Sequence, residues 1–145
     1  CACRWRRRSG RTSVSRPSEL LVAVALGSAV GGVSRFLLTD AVQLRTGATF
    51  PLGTLVVNVL GCFLLGVITQ LVTQSGDASP RLRALLTTGL CGGFTTFSAF
   101  SLETVRMLED GNVLGAAGNV GLSVTLGLAA LWLGMVAGRL VSPAA

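Results

Sequence analysis

Residues Gly89 to Phe100 read GLCGGFTTFSAF, and they interrupt an apolar segment that would otherwise cross a membrane as one helix. Gly92 and Gly93 are poor helix formers, and the hydroxyls of Thr95 and Thr96 can bond their own backbone. Phe94, Phe97 and Phe100 set aromatic rings among small polar residues. The stretch predicts a break in the helix. Irregular backbone survives at membrane depth only where it is buried in protein or lines a wet cavity, so such a break marks an ion or substrate site. The other reading of the same glycines is a packing face against a neighbouring helix, since glycine is common in membrane helices.

Composition sets the class. Of 145 residues, 50% are hydrophobic, 12% are charged and 19 are glycine, which suits an all-α integral membrane protein and not a soluble domain. All twelve basic residues are Arg, and Arg4, Arg6, Arg7, Arg8, Arg11 and Arg16 precede Pro17, leaving six Arg against six acidic residues beyond it. That balance of zero provides no basic face for phosphates and argues against nucleic-acid binding. Residues 1–16 have neither an apolar core nor a signal-peptide cleavage pattern, and they are set apart as a basic tail, disordered or upstream of the true start. A metal-binding pair at Cys1 and Cys3 and an anchor to anionic lipid are the other readings of the tail.

Residues 17–145 read as one four-helix unit with spans at about 19–39, 50–74, 82–107 and 113–141. In the first, Gly27 and Gly31, like Ser28 and Gly32, are four apart and would let another helix approach closely. Arg35, a turn from the expected end, either snorkels to the interface or stands at a pore mouth. The second span begins with Pro51, acceptable in a first turn, and carries Asn58 deep in its apolar run with Thr54 one turn earlier on the same face. Asn58 reads equally as interhelical glue or as a functional amide. The third span holds the break, followed by Ser98, Ser101 and Glu103, the last facing a vestibule or sitting near the interface. Phe97 and Phe100 are three apart and project to similar sides of a helical segment. In the fourth span Asn119, Ser123 and Gly127 form a small polar stripe, and Gly134 and Gly138 a close-packing pair. Beyond the tail, Arg81, Arg83 and Arg139 fall on one side of the membrane and Arg35, Arg45 and Arg106 on the other, a tie that permits both orientations.

Enzyme chemistry finds no footing. The sequence has no His, no carboxylate pair at membrane depth, and glycine pairs that form neither a P-loop nor a dinucleotide fingerprint. Cys62 and Cys91 read as isolated small hydrophobes in apolar helices. What remains is a set of uncharged hydrogen-bond donors inside a spanning protein, which suits a small, strongly hydrated anion whose water they can replace. Phe ring edges are electropositive and can line an anion path without trapping the ion. A four-helix chain encloses little pore by itself, so an oligomer is expected.

The segments GGVSRF at Gly31 to Phe36, NVLG at Asn58 to Gly61, and GLCGGFTTFSAFSLE at Gly89 to Glu103 resemble the signature of the Fluc fluoride channels, the CrcB-type family. The resemblance runs through nearly everything after Pro17. It implies an antiparallel, dual-topology dimer in the cell membrane, of two identical copies or of this chain with a related one, with two fluoride pathways that conduct passively and keep cytoplasmic fluoride low. By the same resemblance Phe97 and Phe100 contact fluoride through their ring edges, Asn58 is the pore amide, and Thr54 and Ser98 are further polar lining. Gly92 and Thr95 match the positions whose backbone carbonyls hold a structural sodium ion at the dimer centre, and Arg35 matches a vestibule residue. Asn119 stands where many relatives have a pore-lining Tyr, and Ser123, one turn later, fits the same path. Two alternatives are a coupled exporter like the small multidrug resistance proteins, which needs a carboxylate embedded in the first span, and a non-transporting membrane assembly protein.

Overall fold

The computed structural model describes residues 16–74 and 78–141. The tail expected over 1–16 lies outside the described residues apart from Arg16, and so does Asp77 of the expected loop between spans two and three. All regular structure among the described residues is helical, and four helical stretches (Pro17–Thr46, Leu52–Val72, Pro80–Glu109 and Val113–Val141) are long and apolar enough to cross a membrane. The protein is a multi-pass membrane protein. Large apolar side chains such as Leu21, Phe36, Leu114, Leu128 and Trp132 are exposed, as lipid-facing or partner-facing residues are.

Helix α1 (Pro17–Thr46) opens with Pro at its first position, and the Glu19 carboxylate accepts from the Arg16 N–H. It stops at Gly47, whose positive φ of 57° lets its N–H reach back to the Gln43 carbonyl at 3.0 Å. The expected end near residue 39 is therefore corrected to Thr46. Asp40 and Arg45, which lower the hydropathy there, are carried on helix that continues past the apolar run. Arg35 consequently lies about three turns before the helix end and not one.

The third span is assembled from pieces. Helix α3 (Pro80–Ala84), capped by the Ser79 hydroxyl accepting from the Leu82 N–H, widens into a π-helical segment at Leu85–Cys91 and returns to α-helix for one short turn, α4 (Gly92–Phe94). Thr95 and Thr96 are extended, with φ and ψ of −81° and 156° and of −148° and 114°. Helix α5 (Phe97–Glu109) follows and α6 (Val113–Val141) completes the chain, Gly111 making the turn between them at φ 74°.

Close approach of backbones explains where the glycines fall. A Cβ on Gly27 or Gly31 would overlap the carbonyl oxygens of Leu85 or Leu90, and one on Gly93 would lie 2.7 Å from the Ser28 oxygen. The α1 pair at Gly27 and Gly31 thus packs against the π segment and α4, as its spacing predicts. Gly32 departs from that expectation, with nothing within 4 Å of its would-be Cβ. Helix α2 (Leu52–Gln74) and α6 form the other intimate pair. There Gly66 and Gly134 admit the Leu131 and Phe63 carbonyls, and Gly138 lies against Val67 and Gln70. Val57 of α2 is wholly buried, and the third span packs chiefly against α1, with α2 touching it over a smaller area.

Candidate functional site

Asn58 of α2 and Thr96 of the third span are joined by two hydrogen bonds. The Asn58 Nδ2 donates to the Thr96 carbonyl at 3.0 Å, and the Thr96 N–H donates to Asn58 Oδ1 at 2.7 Å. The pairing fixes which way the amide faces, because the backbone offers one donor and one acceptor. Thr96 also caps α5, its hydroxyl accepting from the Ala99 N–H at 3.2 Å and lying 3.2 Å from the Ser98 hydroxyl. Thr95 bonds back to the Cys91 carbonyl through both its N–H and its hydroxyl, each at 3.0 Å. From α1, the Arg35 Nη1 donates to the Thr95 carbonyl at 3.2 Å. Three elements therefore hold two extended residues in place.

Two cavities meet at Thr96. The first, about 620 Å³, is lined by Arg35, Asp40, Thr54, Thr96, Ser98 and Glu103 among others. Within it the buried Thr54 hydroxyl donates to Glu103 Oε1 at 2.6 Å, while Glu103 Oε2 is buried without a partner. The second, about 340 Å³, is lined by Asn58, Thr96, Phe97, Phe100, Ser123 and Cys62 among others, and among the described residues no charged side chain contributes to its wall. The rings of Phe97 and Phe100 lie 5.4 Å apart at 46°, a tilted pair of the kind their quadrupoles favour. Phe97 is 79% exposed, so one face of this cavity is open.

The structure brings together Asn58, Phe97, Phe100 and Ser123, and it places Thr54, Ser98 and Arg35 in the other cavity. Thr54 and Asn58, read in sequence as one line along α2, face opposite sides of the Thr96 junction. Asn119 lines neither of these two cavities. It is 1% exposed, and its Nδ2 donates to the Thr104 hydroxyl at 2.9 Å, which in turn donates to the Phe100 carbonyl at 2.7 Å. The expected stripe of Asn119 with Ser123 is split, because Asn119 is drawn against α5 and Ser123 opens on the second cavity. Glu103 stands in the wall of the first cavity.

Gly92 and Thr95 have a shared property. In a continuous helix their carbonyls would accept from the N–H groups of Thr96 and Ala99, but those donors go to Asn58 Oδ1 and the Thr96 hydroxyl instead. Both oxygens are thereby released from the helical pattern. Neutral carbonyl oxygens suit a hard monovalent cation, and a carbonyl has two lone pairs, so the Arg35 bond to Thr95 leaves one available. Gly92 is exposed, with its would-be Cβ no nearer than 3.9 Å to another atom, which leaves room for an ion or a second chain. The donor set fits sodium.

The model of the family described as "CrcB-like protein, Camphor Resistance (CrcB)" matches residues 22–135, a range that includes both cavities and reaches into all four spans. The chain belongs to the CrcB family. Among its CrcB relatives, a protein of Geobacter sulfurreducens is 47% identical over 119 residues, covering 82% of this chain and 96% of the relative. One of Methylocella silvestris is 45% identical over 117 residues (78% and 88%), and one of Rhizobium etli 46% over 112 residues (77% and 90%). All three are named fluoride-specific ion channel FluC. Membership in the CrcB family displaces the multidrug-exporter reading, and the one carboxylate at the start of the first span, Glu19, is ion-paired with Arg81.

Three contributors escaped the sequence reading of this CrcB chain. Thr96 disturbs the helix as Thr95 does, but it is also the N-cap of α5, and a Thr directly before a helical run is the signal for that. Cys62 and Cys91, isolated from each other in sequence, both reach the second cavity, which only the fold reveals.

Proposed function

We propose that this chain is a fluoride-selective channel of the cell membrane that passively releases fluoride and keeps its cytoplasmic concentration low. One observation supports the reading above the others: the second cavity is walled by an amide, hydroxyls and a pair of Phe rings, with no charged side chain among the described residues. Fluoride holds its water strongly, so a path for it has to replace that water with donors that do not retain the ion. Asn58 spends one Nδ2 hydrogen on Thr96 and keeps a second for an anion. Ser123 adds a hydroxyl, and Phe97 and Phe100 add ring edges.

On this proposal Thr54 and Ser98 continue the path into the first cavity, which serves as the vestibule, and Arg35 draws anions towards it. Asn119 acts by holding Thr104 and through it the backbone of Phe100, a supporting role in place of the pore lining a Tyr would supply. The functional unit is an antiparallel, dual-topology dimer with two pathways, formed by two copies of this chain or by this chain and a related one. A Phe ring 79% exposed at the mouth of the cavity favours cover by a partner, and the even distribution of Arg beyond the tail favours insertion both ways. A sodium ion held by the carbonyls of Gly92 and Thr95 would supply fixed positive charge for acceptors that the break leaves at membrane depth. Efflux from liposomes of purified protein tests the function: fluoride should leave rapidly and chloride should be retained, and equal loss of both halides would contradict it.

A further inference from the structure

Two thiols open on the second cavity from different elements. Cys62 lies on α2 one turn after Asn58, and Cys91 closes the π segment one turn before Thr95, so the two flank the bonded pair Asn58 and Thr96 on the same side. Both are free. The Cys62 sulfur is directed at the gap that Gly127 leaves on α6, 3.7 Å from where a Cβ would stand. Neither side chain makes a hydrogen bond or ion pair that the fold requires, and the donors assigned to the anion do not include them. Their position supplies sulfur in an otherwise hard, oxygen-bearing and aromatic chamber.

We propose that Cys62 and Cys91 together form a binding site for a soft, thiophilic cation inside the second cavity, and that its occupation stops conduction. Thiolates select soft ions such as mercuric, silver or cuprous, whereas carbonyl oxygens such as those of Gly92 and Thr95 suit hard ones. Binding of a mercuric ion replaces the two S–H protons by two S–Hg bonds and releases two protons, with no change of oxidation state. The product is an uncharged S–Hg–S bridge. It joins α2 to the third span beside the Phe pair and fills space an anion would cross. The half-buried Cys62 is met first and the more deeply buried Cys91 completes the bridge. The block rests on the channel reading given above, while the binding does not.

The test uses the full chain carrying Cys1→Ser and Cys3→Ser, so that the tail thiols do not compete, with mercuric ion as the probe. Mercury retained after gel filtration should be about one ion per protomer, should weaken at least tenfold in Cys62→Ala or Cys91→Ala, and should vanish in the double variant. Retention unchanged in the double variant, or one ion held by each single variant as tightly as by the parent, would overturn the shared site. In liposomes, micromolar mercuric ion should cut fluoride efflux of the parent at least tenfold, with recovery in dithiothreitol and resistance in the double variant. Metal that binds with no loss of efflux would also overturn the proposal. A parent without any fluoride efflux would count against the channel reading alone, because mercury content still decides the site.

Discussion

The side chain of Asn58 and the backbone of Thr96 exchange two hydrogen bonds across 38 residues of sequence, at 3.0 and 2.7 Å, and this pairing occupies the only described residues where the third span is extended. A helix interrupted inside a membrane has to dispose of the backbone groups it frees, and here an amide mimics the missing stretch of backbone for both of them. The same amide carries a second hydrogen that Thr96 does not use, and Asn58 lines one cavity with the Phe pair. On the proposed reading, Asn58 combines a structural role with one in the anion path.

Asn58→Asp retains an acceptor for the Thr96 N–H but sets a carboxylate oxygen against the Thr96 carbonyl. We predict a loss of about 1–3 kcal/mol from the unsatisfied group, seen as a lowered unfolding midpoint in detergent, together with a collapse of fluoride efflux. An unfolding midpoint equal to the parent's would show that the pairing contributes nothing to the fold.

Gly31 and Gly32 are neighbours with opposite expectations. Ala at 31 would drive its methyl into the Leu90 carbonyl and the Phe94 N–H, whereas Ala at 32 meets open space. Overpacking should make Gly31→Ala destabilising by about 1–3 kcal/mol. Gly32→Ala should be neutral or up to about 1 kcal/mol stabilising, from helix propensity alone. Thermal unfolding of the two variants side by side separates them, and equal midpoints would refute the crossing of α1 over the π segment.

Thr54 and Glu103 form a part-buried pair in which one carboxylate oxygen is already buried without a partner. Removing the hydroxyl with Thr54→Val leaves both oxygens unpaired and should cost about 1–3 kcal/mol. Adding Glu103→Leu should recover part of that loss, so a double-mutant cycle is expected to give a coupling of about 0.5–3 kcal/mol. Strict additivity would mean that the two side chains do not interact in the folded protein.

Phe100→Ile keeps apolar bulk but removes the ring whose centroid lies 5.4 Å from that of Phe97 and whose edge is proposed to face the anion. The variant should elute from size exclusion with the parent and lose at least tenfold of its fluoride efflux. Efflux close to the parent's would remove Phe100 from the pathway.

The sequence disclosed those parts of the molecule that depend on local chemistry. Hydropathy located four spans, and the four-residue spacing of Gly27 with Gly31 and of Gly134 with Gly138 marked two close helix crossings. The far end of α1 was hidden because Asp40 and Arg45 look like loop residues, although they continue the same helix to Thr46. The π segment was hidden for another reason. Its wider turn has no composition of its own, and Leu85–Cys91 reads like ordinary helix. Partners distant in sequence were the least legible: neither the bond between Asn119 and Thr104, nor the separation of Thr54 from Asn58 into two cavities, can be counted off a helix period.

Central to the account is passive, selective movement of fluoride along uncharged donors, and current through a planar bilayer containing the purified protein addresses it most directly. With fluoride at unequal concentrations on the two sides and chloride making up the difference, we predict a reversal potential that follows the fluoride gradient, ignores chloride, and stays put when a proton gradient is imposed. A reversal potential set equally by both halides, or one that tracks the proton gradient, would contradict the account.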